Sequence, residues 1–231
     1  MYAGQKVKRN GVEYCLCPFT DLYLTCCGGE SKEHKGTMAW DVRGLLKGVR
    51  YPYYAPVTLR CIKVYPESGQ AMWQSTEKVK CSNGYYGIIT IMTCHDDTLN
   101  AFAGIVIPQG NQLGNMGVKG NATGVHCHIE ISQSDSTKWV RNKYGNWCFE
   151  SEVDGEDVFF MNDTNILNGI GNWKFLGEEP KEEVDQILHK GSVVRLTGEY
   201  VVKDVNVKEN TALIEIDGKD VWISSVPLEE I

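Results

Sequence analysis

Apolar and polar residues alternate in several short stretches of this chain, most clearly at residues 123–131, Thr-Gly-Val-His-Cys-His-Ile-Glu-Ile. On a strand, residues i and i+2 share a face. Cys127, Ile129 and Ile131 therefore turn towards a core, and His126 and His128 project side by side from the opposite face. Glu130 shares their face by the same parity. It either orients an imidazole or faces solvent, and solvent is the expectation.

The same pattern predicts further strands along the first half of the chain. Residues 7–23 read as strand, turn at Pro18, then a short strand or turn. Residues 57–65 are β-branched and alternating, and 72–81 lead through the turn signal Ser82-Asn-Gly84 into 86–94, which delivers His95 at its end. Residues 27–44 carry four glycines, so His34 and Asp41 lie on loop and short strand, not on a helix. Residues 51–56 are an extended, proline-stiffened approach. Residues 110–124 are rich in glycine, which suits tight turns or close backbone approach to a ligand.

After Ser132 the chain is polar, with Trp139, Tyr144 and Trp147 spread among charges. Residues 156–161 predict a short helix or strand, and 162–172 a loop. The charged run 177–183 reads as a solvated linker. Beyond it, 193–196, 200–203, 212–216 and 221–224 predict four short strands, with Asp217-Gly218 as a hairpin turn. Trp222 sits in an apolar strand and is expected in a core. No helix long enough to dominate is predicted, so the class is mainly β. The boundaries are a domain over 1–176, a linker over 177–189 and a small β module over 190–231.

Composition narrows the function classes. The formal net charge is −7, which argues against broad electrostatic binding of nucleic acid. No apolar run approaches bilayer length, and the first ten residues lack the apolar segment of a signal peptide. The expectation is a soluble monomer made in the cytoplasm, with no membrane partner. Nine cysteines are scattered along the chain. Cys15-x-Cys17 and Cys26-Cys27 lack the spacing of a thiolate zinc site, so all nine read as buried thiols.

The histidines carry the candidate chemistry. There are five, and His189, at the linker edge, reads as solvated. His34 and Asp41, with His128, would supply two nitrogens and one oxygen. That is the protein half of a catalytic zinc site, with a fourth position left for water. His95 and His126 would then stand beside the metal as acid–base and oxyanion-stabilising groups. Asp21, Asp96, Asp97 and Glu130 are rival carboxylates.

The order His34…Asp41, then His95 after an Ile/Thr-rich strand, then Thr-Gly-Val-His126-Cys-His128-Ile-Glu, resembles the lysostaphin-type zinc metallopeptidases. Ala55-Pro56-Val57 also resembles that family's entry into its first core strand. The resemblance spans about residues 15 to 135 of the chain. It implies an antiparallel β-sheet peptidase domain holding Zn2+ on His34, Asp41 and His128, with His95 and His126 catalytic. Six residues separate His34 from Asp41, where the common family spacing is His-x₃-Asp; the longer spacing resembles bacteriophage endolysins. The implied activity is hydrolysis of peptide bonds in bacterial peptidoglycan, acting on the wall after release from the cell. The tail would resemble an SH3-like wall-binding module. Two other functions stay open: a non-catalytic wall-binding or virion protein with the same fold, and a zinc amidase that cuts the sugar–peptide amide.

Overall fold

A computed structural model describes residues 2–169, 202–206, 208–209, 211–216 and 219–224. They fall into two units, one in 2–169 and one in 202–224.

The first unit is built on a nine-stranded sheet. Its strands are β1 (Asp21–Cys26), β2 (Trp40–Arg43), β3 (Leu59–Tyr65), β4 (Gln70–Ser75), β5 (Thr90–Cys94), β6 (Val106–Ile107), β7 (Cys127–Ser132), β8 (Glu152–Val153) and β9 (Asn165–Asn168). The order across the sheet is β6-β3-β4-β5-β7-β2-β1-β9, and β8 pairs with β7 beside β2. All pairs are antiparallel except β1–β9.

Register explains which face is core. Cys61, Trp73, Ile91, Ile131 and Val153 lie opposite one another across β3, β4, β5, β7 and β8. Cross-strand partners share a face, so these side chains form one apolar row, buried except for Val153, which packs partly buried against the same core. On this face Cys127, Ile129 and Ile131 are buried with Trp40, Val42, Leu22 and Phe159, as the alternation of β7 predicts.

The other face carries a smaller apolar cluster of Met72, Met92, Cys94 and Phe149, against which Trp139 packs. Trp139 and Phe149 belong to a hairpin, Trp139–Arg141 with Trp147–Phe149, and their rings meet edge to face at 4.9 Å. The sequence pattern offered only a polar stretch here. The hairpin roofs part of the sheet face next to the histidines.

Other expectations met mixed outcomes. The 57–65 and 86–94 stretches contain β3 and β5. Residues 155–158 form one helical turn, with the Asp154 side chain accepting from the Glu156 N–H as N-cap. Residues 162–172 were expected as loop, but Asn165–Asn168 is the parallel edge strand β9. Its side chains help to hold it: Asn165 donates to Asp21 and Asn168 to the Leu24 carbonyl. Eight cysteines are buried as expected, and Cys26 is only half-buried.

The second unit is a three-stranded antiparallel meander, β10 (Val202–Asn206), β11 (Thr211–Ile216) and β12 (Lys219–Ser224). Ala212 and Ile214 are its buried apolar residues. Trp222 was expected in a core and is instead 49% exposed. It lies opposite Leu213, on the face away from Ala212 and Ile214. The linker, His189, the 193–196 strand, Tyr200 and the Asp217-Gly218 turn lie outside the described residues. Among the described residues, no helix is long and apolar enough to cross a membrane.

Candidate metal centre

One row of cross-strand partners carries the site. Cys26 on β1 lies opposite Asp41 on β2, Asp41 opposite His128 on β7, and His128 opposite Cys94 on β5. All four therefore point to the face opposite the main core. His34 comes from the loop before β2. There, its carbonyl accepts from the N–H groups of Gly29 and Thr37 and from the Thr37 hydroxyl. These bonds fold the glycine-punctuated loop back over the row.

Asp41 is the hub. His34 Nε2 lies 3.1 Å from Asp41 Oδ2, while His128 Nδ1 lies 2.9 Å and His126 Nε2 3.4 Å from Asp41 Oδ1. Burial alone would raise the Asp41 pKa, but hydrogen bonds from His126, His128 and His34 hold it well below the usual carboxylate range. The rival carboxylates are engaged elsewhere: Asp21 with Asn165, Asp96 with Tyr53, and Asp97 with Arg50.

Glu130 is the exception among those rivals, and it corrects the expectation of a solvent-facing residue. It is 1% exposed. Its Oε1 lies 2.9 Å from His128 Nε2. Phe149 and Trp139 cover this side of the sheet, which parity along β7 cannot reveal. Burial opposes charge on His128, but hydrogen bonds to Asp41 and Glu130 outweigh it and lift its pKa to about 10. Glu152, on neighbouring β8, is pushed up to about 9 by burial and by the charge of Glu130.

His95 and His126 are held alike. His95 Nδ1 lies 2.8 Å from the Lys119 carbonyl, and His126 Nδ1 lies 2.7 Å from the Gly124 carbonyl. A carbonyl only accepts, so each Nδ1 carries the proton and each Nε2 is left to the site. The two rings are 4.6 Å apart. Burial lowers the His95 pKa to about 4, against the opposing bond to Lys119. His95 has φ +77°, a left-handed conformation that costs energy for a β-carbon residue and marks positions fixed by their surroundings.

Gly117 ties these two residues together. It exchanges backbone hydrogen bonds of 3.1 Å with His126 in both directions. A Cβ at this position would overlap the carbonyl oxygen of His95 and the N–H of Asp97. The glycine-rich run was expected to turn tightly or to approach a ligand; at Gly117 the close approach is to the backbone of two histidines.

The structure brings His34, Asp41, His95, His126 and His128 together around a groove of about 1150 Å³. Glu30, Arg43, Asn121, Thr123, Trp139 and Trp147 also line it. Cys26 was expected as a buried thiol and instead lines the groove. Its Sγ lies within 4.8 Å of ligand atoms of His34 and Asp41, and those two also lie within that distance of each other. The register of β1 on β2 shifts between Leu24 and Cys26, so strict alternation misplaces the Cys26-Cys27 pair. Cys27 enters the core and Cys26 faces the groove. Burial raises the Cys26 pKa, and the Asp41 and Glu30 charges add to this against a bond to Ser31.

The donor set suits a metal cation. Imidazole nitrogens and a carboxylate oxygen are zinc ligands. His34 is 3% exposed, and its Nδ1 has no hydrogen-bond partner among the described residues. The His128–Glu130 bond repeats the carboxylate–histidine arrangement that orients metal-binding imidazoles.

Comparison with models of known protein families gave no match. The chain is 32% identical over 172 residues to Morphogenesis protein 1 of Bacillus phage B103. The alignment covers 71% of this chain and 45% of that protein, so the chain spans less than half the length of this relative. Among solved structures, the M23 metalloprotease pseudoalterin from the deep sea aligns with 90% of this chain and 94% of its own, at 13% identity and TM-score 0.41. A zinc-containing peptidase from Vibrio cholerae aligns with 53% of this chain and 41% of its own, at 16% identity and TM-score 0.37.

Proposed function

We propose that this chain is a zinc-dependent endopeptidase that hydrolyses peptide bonds in bacterial peptidoglycan. The observation that carries the reading is the convergence of His34 Nε2, His126 Nε2 and His128 Nδ1 on the Asp41 carboxylate, within 3.4 Å. The sequence resemblance to lysostaphin-type peptidases, through His34, Asp41, His95 and the His126-Cys-His128 strand, supports the same reading.

In this reading His34, Asp41 and His128 hold the metal. A bound zinc ion polarises a carbonyl and lowers the pKa of a bound water towards ~7. The chain's own residues do the rest. Glu130 Oε1 accepts a hydrogen bond from His128 Nε2–H, which would leave Nδ1 free to hold the metal. His95 and His126, each with Nδ1–H tied to a backbone carbonyl, accept a proton at Nε2. Once protonated, the same atom donates to a tetrahedral oxyanion or to the leaving amine. The groove takes an extended peptide beside them.

The biological setting we infer is a phage. The relative's name, Morphogenesis protein 1, favours a wall-cutting role linked to the virion as a second reading beside an endolysin. The meander of 202–224, with Trp222 exposed, would then contact the wall as an SH3-like module. Digestion of purified Gram-positive and Gram-negative walls tests the activity. New amino termini within the peptides support an endopeptidase, whereas glycan freed of intact peptide identifies an amidase. Intact walls in every preparation identify a non-catalytic protein.

A further inference from the structure

The geometry points to Cys26 as a fourth protein ligand of this metal centre, a thiolate latch on the position that water must enter. The inference rests on the zinc reading above and goes beyond it. Three observations place the thiol there. Cys26 Sγ, His34 and Asp41 present ligand atoms within 4.8 Å of one another. Cys26, Asp41 and His128 form one cross-strand row on three adjacent strands. The register shift after Leu24 turns Cys26 out of the core and into the groove.

The thiol has two hydrogen-bond partners, the Ser31 side chain and the Cys27 carbonyl. Its bond to the Cys27 carbonyl is long, at 3.7 Å. Cys26 is also the one cysteine that is not buried. Two imidazoles and a carboxylate form an open zinc site, and a thiolate added to them closes it. On ligation the Sγ–H proton leaves to solvent, and the negative thiolate binds the cation. A bound thiolate would compete with water and the substrate carbonyl for the open position.

Two measurements on the full chain test this. Apo protein is titrated with Co2+ and followed by absorption. Wild type should show both visible ligand-field bands and a near-ultraviolet thiolate-to-cobalt charge-transfer band. Cys26→Ser should keep the visible bands, lose the charge-transfer band and bind the ion roughly tenfold more weakly in chelator competition. The second measurement needs no variant: iodoacetamide labelling of wild type, read by peptide mass, should modify Cys26 in the apo protein and spare it with stoichiometric Zn2+. Visible bands with no charge-transfer band, and equal labelling with and without Zn2+, would overturn the Cys26 assignment while leaving the zinc reading intact. Failure of wild type to bind either ion would overturn both.

Discussion

His128 and Glu130 are joined across one face of one strand: Nε2 of the imidazole lies 2.9 Å from Oε1 of a carboxylate that is almost fully buried. The bond fixes the ring so that Nδ1 meets Asp41. Removing the carboxylate frees the ring and the tautomer. Glu130→Ala should weaken metal binding by about 10–100-fold, measured by chelator competition. Glu130→Gln retains an acceptor oxygen for Nε2–H and should lose less. Equal affinity in wild type and Glu130→Ala would refute the positioning role.

Asp41 is bonded to His34, His126 and His128, whereas His95 faces the site through Nε2. Its removal should therefore separate binding from turnover. His95→Ala is expected to retain metal at wild-type stoichiometry while kcat drops by about 10²–10⁴-fold. His128→Ala should lose both together. A His95→Ala protein with full turnover would remove the residue from the mechanism.

Gly117 packs against the His95 backbone where a Cβ has no room. Gly117→Ala must push His95 or the 117–126 bridge aside, at a cost of about 1–3 kcal/mol. Lower Tm together with reduced turnover is expected. Tm and kcat both at wild-type values would show that the contact does not position His95.

Asp96 gives a pH dependence with a definite sign. Burial pushes its carboxyl up to about 7, although Tyr53 and the Asn115 N–H donate to it. Unfolded, it titrates near the usual Asp value of about 3.9. Between these values the folded chain binds the extra proton, so stability from this group is present at low pH and declines as pH rises through about 7. Denaturant titrations at pH 5 and pH 8 should show this loss. Asp96→Asn should flatten the difference, and an unchanged difference would assign the pH dependence to other groups.

Much of this site was legible because it is local. The side-by-side placement of His126 and His128 follows from strand parity, and the buried Cys127, Ile129 and Ile131 follow from the same rule. His95 at a strand end and His34 with Asp41 on a glycine-punctuated segment were also readable. What was not legible depends on partners distant in sequence. Glu130 is buried by a hairpin that begins at Trp139. Cys26 faces the groove because β1 slips its register on β2. β9 exists because its asparagines find β1 across more than a hundred residues. Trp222 is exposed because it lies opposite Leu213, on the face of the meander away from the buried Ala212 and Ile214 of the neighbouring strand.

Mass spectrometry of peptidoglycan fragments tests the central claim most directly. Cross-linked walls are digested with zinc-loaded protein, with chelator-stripped protein and with His128→Ala, and new peptide amino termini are counted. New termini should arise with the zinc-loaded protein alone and return when zinc is restored to the stripped sample. Equal termini in all three digests, or none with the zinc-loaded protein, would contradict a zinc endopeptidase built on His34, Asp41 and His128.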